Sequence, residues 1–327
     1  MIAIEISSFG GPDVLRPVNR PKPVPGANEI LIAVKAAGVA RADTLQRQGK
    51  YPVPAGASDI PGLDLSGVIE TLGTDVQGWA VGDAVCALTS GGGYAEFCSV
   101  PAPQVLPMPA GWSFAEAATL PQNLFTAYDN VITRARLQAG ETILIHGGAS
   151  GVGYLAIMLS RAWKAQAIAT AGSTAKCEAC LGFGASAAIN YKELDFIEEC
   201  RRITQGRGVD VVLDMVGGAY FERNMEALAI EGRLGVIATQ KGGSAQIDLK
   251  KLMSKRATVF GSMLRPRTVE EKGSVARAIF RDVWPLLPAK SPIWPVIDTT
   301  FPLEQANFAH IRMESGGHIG KIVLLTA

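Results

Sequence analysis

Thr142-Ile143-Leu144-Ile145-His146-Gly147-Gly148-Ala149-Ser150-Gly151-Val152-Gly153 sets an apolar run directly against a glycine-rich turn, and a helix-like stretch, Tyr154 to Trp163, follows. Strand, glycine turn and helix in that order hold the pyrophosphate of a dinucleotide. Small residues let the backbone approach the phosphates, and the helix N-terminus aims free N–H groups and partial positive charge at them. An ordinary tight strand-to-helix connection is the competing account. The context of a whole series of strands and helices favours the dinucleotide.

Working outward, strands and helices alternate. The pattern predicts strands at Thr142–Gly147, Gln166–Ala171, Ala187–Asn190, Val209–Val216, Arg233–Thr239 and Thr258–Leu264. It predicts helices at Gly151–Trp163, Thr174–Phe183, Asp195–Thr204, Ala219–Ala229 and Leu249–Lys255. Several strands are apolar throughout, as expected of parallel strands covered on both faces. The fold class is α/β, a doubly wound parallel sheet. The first third differs. Its short runs (Ile30–Ala36, Leu65–Leu72, Val81–Ala87, Tyr94–Val100), separated by Gly and Pro, suggest an irregular barrel or sandwich. Ser113-Phe114-Ala115-Glu116 has the form of a capping box, and a longer helix is expected over Leu120–Thr133. The tail holds an expected helix, Val269–Leu287, and a last strand, Lys321–Leu325.

Composition removes several function classes. In 327 residues, 48% hydrophobic and 19% charged residues describe a globular chain with ample core. A formal charge of +1 gives no footprint for nucleic acid or an anionic membrane. No apolar stretch is long enough to span a bilayer, and the N-terminus does not read as a signal peptide. Five thinly spread cysteines point to a reducing cytoplasm rather than a disulfide framework.

The turn departs from the simple G-x-G-x-x-G fingerprint. With Gly148 first and Gly153 third, Ser150 takes the second place, followed by Gly151 and Val152 at the helix start. A serine fits there if its hydroxyl donates to a phosphate or the cofactor shifts slightly. The next strand runs out as Ala169-Thr170-Ala171-Gly172-Ser173-Thr174-Ala175-Lys176. An NAD site has Asp or Glu here for the ribose 2′-OH. This chain has none to repel a 2′-phosphate. Gly172 and Ser173 offer N–H and hydroxyl donors, Lys176 adds a cation one turn on, and Tyr191 offers a phenol from the following strand. NADPH is the expected cofactor. Cys177-Glu178-Ala179-Cys180 has redox spacing but falls within a helix already accounted for, so packing cysteines are the expectation.

Gly38-Val39-Ala40-Arg41-Ala42-Asp43, Arg47–Pro52, Pro61-Gly62-Leu63-Asp64-Leu65-Ser66-Gly67, Val81-Gly82-Asp83 and the glycine turn carry a family likeness. Over essentially its whole length the chain resembles the zinc-independent branch of the medium-chain dehydrogenase/reductases. It is most similar to the NADPH-dependent quinone oxidoreductases, the p53-inducible type among them. The resemblance implies a GroES-like catalytic domain over 1–121, a Rossmann domain over 122–264 and a C-terminal return over 265–327. Zinc-dependent relatives place ligands where this chain has Ala40, Leu63-Asp64 and the region of Gln122-Asn123. Alanine and leucine cannot coordinate Zn²⁺, so no metal is expected. His146 is expected in the core, and Asp64 as a structural hydrogen-bond acceptor. Tyr51 falls where the family has a tyrosine near the substrate, and is the candidate donor to the acceptor's oxygen or a residue that only stacks. Many relatives carry asparagine where Ala40 stands. Ser150 matches a family serine beside the cofactor. The likeness places Thr126 and Tyr128 near the nicotinamide and adds Thr239, Leu264, Gly320 and Lys321 as cofactor contacts. It also implies a homodimer joined through the edge strand Thr258–Leu264.

Without a metal to polarise a carbonyl, the acceptor should need little such help, and a quinone gains aromaticity on reduction. Hydride transfer from NADPH to a quinone is therefore the leading expectation. An enone or enoyl reductase stands next. A weakly catalytic NADPH-binding sensor or structural protein is the third reading, left open by Ala40.

Overall fold

Turn residues spaced between short apolar runs produce an antiparallel assembly in the first part of the chain. The computed structural model describes residues 1–287 and 292–326. β1 (Ile2–Ile6) and β2 (Leu15–Asn19) form a two-stranded ribbon. β3 (Glu29–Val39) is the long central strand and leads directly into α1 (Arg41–Arg47). β4 (Asp64–Leu72), β5 (Ala84–Leu88), β6 (Phe97–Pro101) and β7 (Val105–Pro107) follow. β3 pairs antiparallel with β4 on one side and β6 on the other. The capping box is formed at α2 (Phe114–Ala117): Ser113 Oγ accepts from Glu116 N–H, and the Glu116 carboxylate accepts from Ser113 N–H at 2.7 Å.

The helix expected over Leu120–Thr133 is two elements. α3 (Pro121–Ala127) opens on proline, which fits the first helical position. It passes into a π-helical stretch, Tyr128–Arg134, closed by Ala135 N–H donating to Asn130 C=O. The change of pitch rotates the following side chains relative to a regular helix.

Strand and helix then alternate as expected: β8 (Thr142–His146), α4 (Gly151–Ala162), β9 (Gln166–Ala171), α5 (Thr174–Gly182), β10 (Ala187–Asn190), α6 (Phe196–Ile203), β11 (Val209–Asp214), α7 (Gly218–Ala227), β12 (Leu228–Val236), α8 (Leu249–Lys255) and β13 (Thr258–Gly261). The strands form one parallel sheet in the order β10-β9-β8-β11-β12-β13. Every residue of β8 is buried, which explains why it carries no alternation. Leu144, Ile168, Val212 and Leu234 bring four strands into one core. Strand order reverses between β8 and β11, so their C-terminal ends define the switch point where such sheets bind ligands.

The chain returns through α9 (Val269–Asp282), β14 (Ile297–Pro302), α10 (Ala306–Glu314) and β15 (Lys321–Leu325). α9 stops short of Leu287 because Pro285 has no N–H to continue it, and Trp284–Leu286 tighten into a 3₁₀ turn. β15 lies antiparallel to β3 and parallel to β14, completing a seven-stranded sheet in which β6 also joins β3. The chain divides into two units, one of residues Met1–Phe125 with Leu264–Ala327, the other of Thr126–Met263.

Candidate functional site

In the parallel-sheet unit, β8 delivers the chain into the glycine turn at the switch point. Gly147 adopts a φ of +66°, which its lack of Cβ allows. A Cβ on Gly153 would stand 2.2 Å from the Gly147 carbonyl oxygen, and one on Gly148 2.7 Å from Ala169 Cβ. The turn is thus closed tightly onto α4 and β9. Ser150 is the N-cap of α4: its Oγ accepts from Gly153 N–H at 3.1 Å. Its proton faces the Met215 thioether, 3.8 Å away, a weak acceptor. Gly151 and Val152 form the first turn behind it.

A second group gathers at the end of β9. Ser173 caps α5, accepting from Lys176 N–H at 3.4 Å. Tyr191 N–H donates to Ala171 C=O, and the Tyr191 hydroxyl lies 2.6 Å from where a Gly172 Cβ would be. Gly172, Ser173, Lys176 and Tyr191 therefore share one corner of the unit, and Ala169 to Lys176 contributes no carboxylate to it.

The sequence reading missed the loop after β11. Asp214 is fully buried and accepts from Val216 N–H (2.7 Å) and Gly217 N–H (3.1 Å). Burial pushes its carboxyl up to about 6, against the pull of those two donors. This turn presents Met215 to Gly147 and Ser150. Gln240 N–H and Lys241 N–H bond to the carbonyls of Met215 and Val216, which brings Thr239 against Gly217. Glycine turn, Met215 loop and Thr239 thus meet at one strand-end surface. The local signal was Asp214-Met215-Val216-Gly217-Gly218, a turn sequence at a strand end.

His146 is fully buried, between Thr170 Oγ1 (3.0 Å) and Asn224 Oδ1 (2.7 Å). Burial lowers it to about 4, so it is neutral, donating from Nε2 to Asn224 and accepting at Nδ1 from Thr170. Tyr128 opens the π-helical stretch. Its ring packs edge-to-face on Trp163, which follows the C-terminal end of the 12-residue α4. Thr126 sits in α3, with its carbonyl accepting from Asn130 Nδ2. Cys177 and Cys180 lie buried within α5, and burial raises both thiols.

The other unit holds the remaining residues. Tyr51 is half-buried in the irregular segment after α1, with the Arg265 guanidinium 5.2 Å from its ring centre. Burial raises its phenol, and nearby Arg265 opposes the rise. Leu264 immediately precedes that arginine. Gly320 turns the chain into β15 at φ +84°, where a Cβ would stand 2.4 Å from Val296 C=O. Lys321 is placed in the core. It is 2% exposed, with Nζ 2.9 Å from the Asp64 carboxylate, so its charge answers Asp64. Asp64 itself is pushed up by burial and held back by Lys321. Among the described residues no three His, Cys, Asp or Glu side chains gather as a metal-ligand group.

Asp43, also fully buried, anchors the segment around Ala40. It accepts from Ala40 N–H (2.8 Å), Gly62 N–H (3.2 Å) and Tyr94 O–H (3.1 Å). Tyr94 Oη is 3.2 Å from His310 Nε2, and His310 Nδ1 is 3.4 Å from Arg47 Nη1. Arg47 only donates, so His310 accepts at Nδ1, carries its proton on Nε2 and donates to Tyr94, which donates to Asp43. Burial holds His310 down to about 3 and Asp43 up to about 6.

Comparison with known proteins agrees with this geometry. Residues 26–110 match the alcohol dehydrogenase GroES-like domain, and 151–279 match the zinc-binding dehydrogenase domain. The quinone oxidoreductase of Rattus norvegicus is 33% identical over 99% of this chain and 98% of its own. Escherichia coli quinone oxidoreductase complexed with NADPH superposes with a TM-score of 0.85 at 29% identity, covering 99% of this chain and 100% of that one. The CurK enoyl reductase gives 0.88 at 28% identity, covering 100% and 99%. The fold is that of an oxidoreductase, a GroES-like unit with a Rossmann-like unit. The chain belongs to the medium-chain dehydrogenase/reductase family, among the relatives of the quinone oxidoreductases.

Proposed function

We propose that this protein is a zinc-independent, NADPH-dependent reductase of quinones. The observation that carries the reading is the corner at the end of β9, where Gly172, Ser173, Lys176 and Tyr191 meet and the strand end Ala169–Lys176 contributes no carboxylate for a ribose 2′-OH. Such a corner accepts a 2′-phosphate: Lys176 supplies charge, and the Gly172 N–H, Ser173 hydroxyl and Tyr191 phenol supply donors. Gly148, Gly151, Val152 and Gly153 leave room for a pyrophosphate at the α4 N-terminus, and the Ser150 proton is available to it. Thr126 and Thr239 complete the set. NADPH supplies a hydride. The E. coli relative was solved with NADPH, which supports the assignment.

Acceptor chemistry follows from what the other unit offers. Ala40 and Leu63 cannot ligate a metal, and Asp64 already has Lys321 as its counter-charge. A quinone suits such a site because it takes up hydride without Lewis-acid help. Tyr51 presents an aromatic face and a phenol for the acceptor's oxygen. The enoyl reductase likeness supports a second reading, reduction of an enone or enoyl thioester. NADPH oxidation followed against quinones of increasing size and against enones decides between them by kcat/KM. Tyr51→Phe is the control: a large fall in kcat gives the phenol a chemical role, and no change reduces it to packing. A preference for NADH over NADPH would overturn the cofactor assignment.

A homodimer through β13 belongs to the same reading. β13 is the sheet's edge, and Leu249, Met253, Val259 and Met263 on and beside it are exposed. Sedimentation as a monomer at micromolar concentration would remove it.

A further inference from the structure

Arg265, whose guanidinium lies 5.2 Å from the Tyr51 ring centre, and Lys272 are buried cations, with Glu271 the acid in electrostatic reach of Lys272. Arg265 is 5% and Lys272 4% exposed, and among the described residues neither makes an ion pair. They meet at one residue: Arg265 Nε donates to the Ser90 carbonyl at 2.9 Å, and Lys272 Nζ donates to Ser90 Oγ at 2.7 Å. Arg265 Nη2 donates to Gln46 Oε1 at 2.8 Å, while Nη1 is closed off from solvent and has no partner. Lys272 also sits near the N-terminus of α9, the end of a helix that repels positive charge. Burial and the neighbouring arginines hold its ammonium down to about 8. An acid in electrostatic reach of Arg265 is Asp43, whose carboxylate is engaged by three donors.

Buried charge of one sign is costly unless an opposite charge is supplied. A residue kept only for packing would be apolar or paired here. We propose that Arg265 and Lys272, joined at Ser90 beneath Tyr51, form a subsite for an oxyanion substituent, a carboxylate or sulfonate, carried by the acceptor. The inference rests on the reading of Tyr51 as an acceptor-side residue and deepens it by naming the charge of the substrate. Arg265 presents Nη1 to one oxygen, and Lys272 supplies the second charge. The Tyr51 ring swings off the guanidinium face to admit the group and then stacks on the ring system that carries it. Its place in an irregular segment permits that movement.

The test separates binding from turnover. Calorimetric titration of the ligand-free protein compares 2-naphthoate with its neutral isostere 2-naphthamide. The naphthoate is expected to bind about tenfold or more tighter, the scale of a charge-assisted hydrogen bond. Arg265→Met and Lys272→Met should each reduce that preference to about twofold or less, with Arg265→Lys retaining part of it. Ligand-free Lys272→Met should melt higher than wild type, because a residue kept for a ligand destabilises the empty fold. Should Arg265→Met fail to fold, Lys272→Met decides. Equal binding of the two probes by wild type, or a preference undiminished in every folded variant, would overturn the proposal. In parallel, NADPH oxidation is measured with 1,4-naphthoquinone and its 2-sulfonate, and the sulfonate should show the larger kcat/KM. If neither quinone is reduced, the quinone reading fails while the naphthoate titration still decides the subsite.

Discussion

The Tyr191 phenol oxygen stands 2.6 Å from the point a Cβ on Gly172 would occupy. The two residues come from successive strand ends, β9 and β10, tied by the bond from Tyr191 N–H to Ala171 C=O. Glycine at 172 therefore leaves the phenol room to lie over this corner.

Gly172→Ala should move the Tyr191 side chain off this corner. The phenol is the tip of a 40% exposed side chain and can swing away, so stability should change little. The dissociation constant for NADPH, measured by fluorescence titration, should rise about tenfold, the worth of one or two hydrogen bonds to a charged group. An unchanged constant would separate Tyr191 from the phosphate.

Lys176 should set the choice between the two nicotinamide cofactors. Lys176→Ala should lower the ratio of kcat/KM for NADPH over NADH by about tenfold, and Lys176→Glu should lower it further by repelling the extra phosphate. Equal losses with both cofactors would assign Lys176 to the fold instead.

The Asp64–Lys321 pair should behave as a buried ion pair. Lys321→Met leaves a fully buried carboxylate unanswered and should cost about 3–5 kcal/mol in urea unfolding. Adding Asp64→Leu to that variant should recover much of the loss, because the stranded charge is gone. Failure of the second substitution to recover stability would show that the pair acts through shape rather than charge.

Acid should loosen the protein through its histidines. His146 and His310 are lowered to about 4 and about 3, so the unfolded chain takes up their protons first. Their contribution is complete above about 6.5 and is lost as pH falls toward those values. Asp43 and Asp214, raised to about 6, act oppositely: they favour the fold as pH falls from 6 toward the ordinary carboxylate range. His310→Gln removes one losing group and leaves both carboxylates. Its stability should decline less steeply between pH 6.5 and 4.5, by up to about 1.4 kcal/mol per pH unit, in thermal unfolding. An identical slope would mean that His310 takes up its proton equally in the folded and the unfolded chain.

What the sequence disclosed was governed by local pattern. β9, β10 and α8 fall where periodicity puts them, and the Ser113 capping box is formed by four consecutive residues. Features decided by distant partners were illegible. β12 begins at Leu228 rather than Arg233 because its first residue pairs with Val209 of β11 before the register shifts. Tyr128 turns to Trp163 because α3 gives way to a π-helical stretch, which a regular period does not anticipate. The pairing of Lys321 with Asp64 is not legible either, because nothing near Lys321 reveals a partner 257 residues earlier. Arg265 and Lys272 are joined through Ser90, which stands 175 and 182 residues before them in the chain, so no local spacing links the three.

The succession from Arg47 through His310 and Tyr94 to Asp43 has every hydrogen facing the same way, with a guanidinium at its head. Arginine does not release hydrogen ions at any pH the fold survives. That interior line is insulation rather than wiring. No hydrogen ion can enter at its arginine end and be handed on to Asp43.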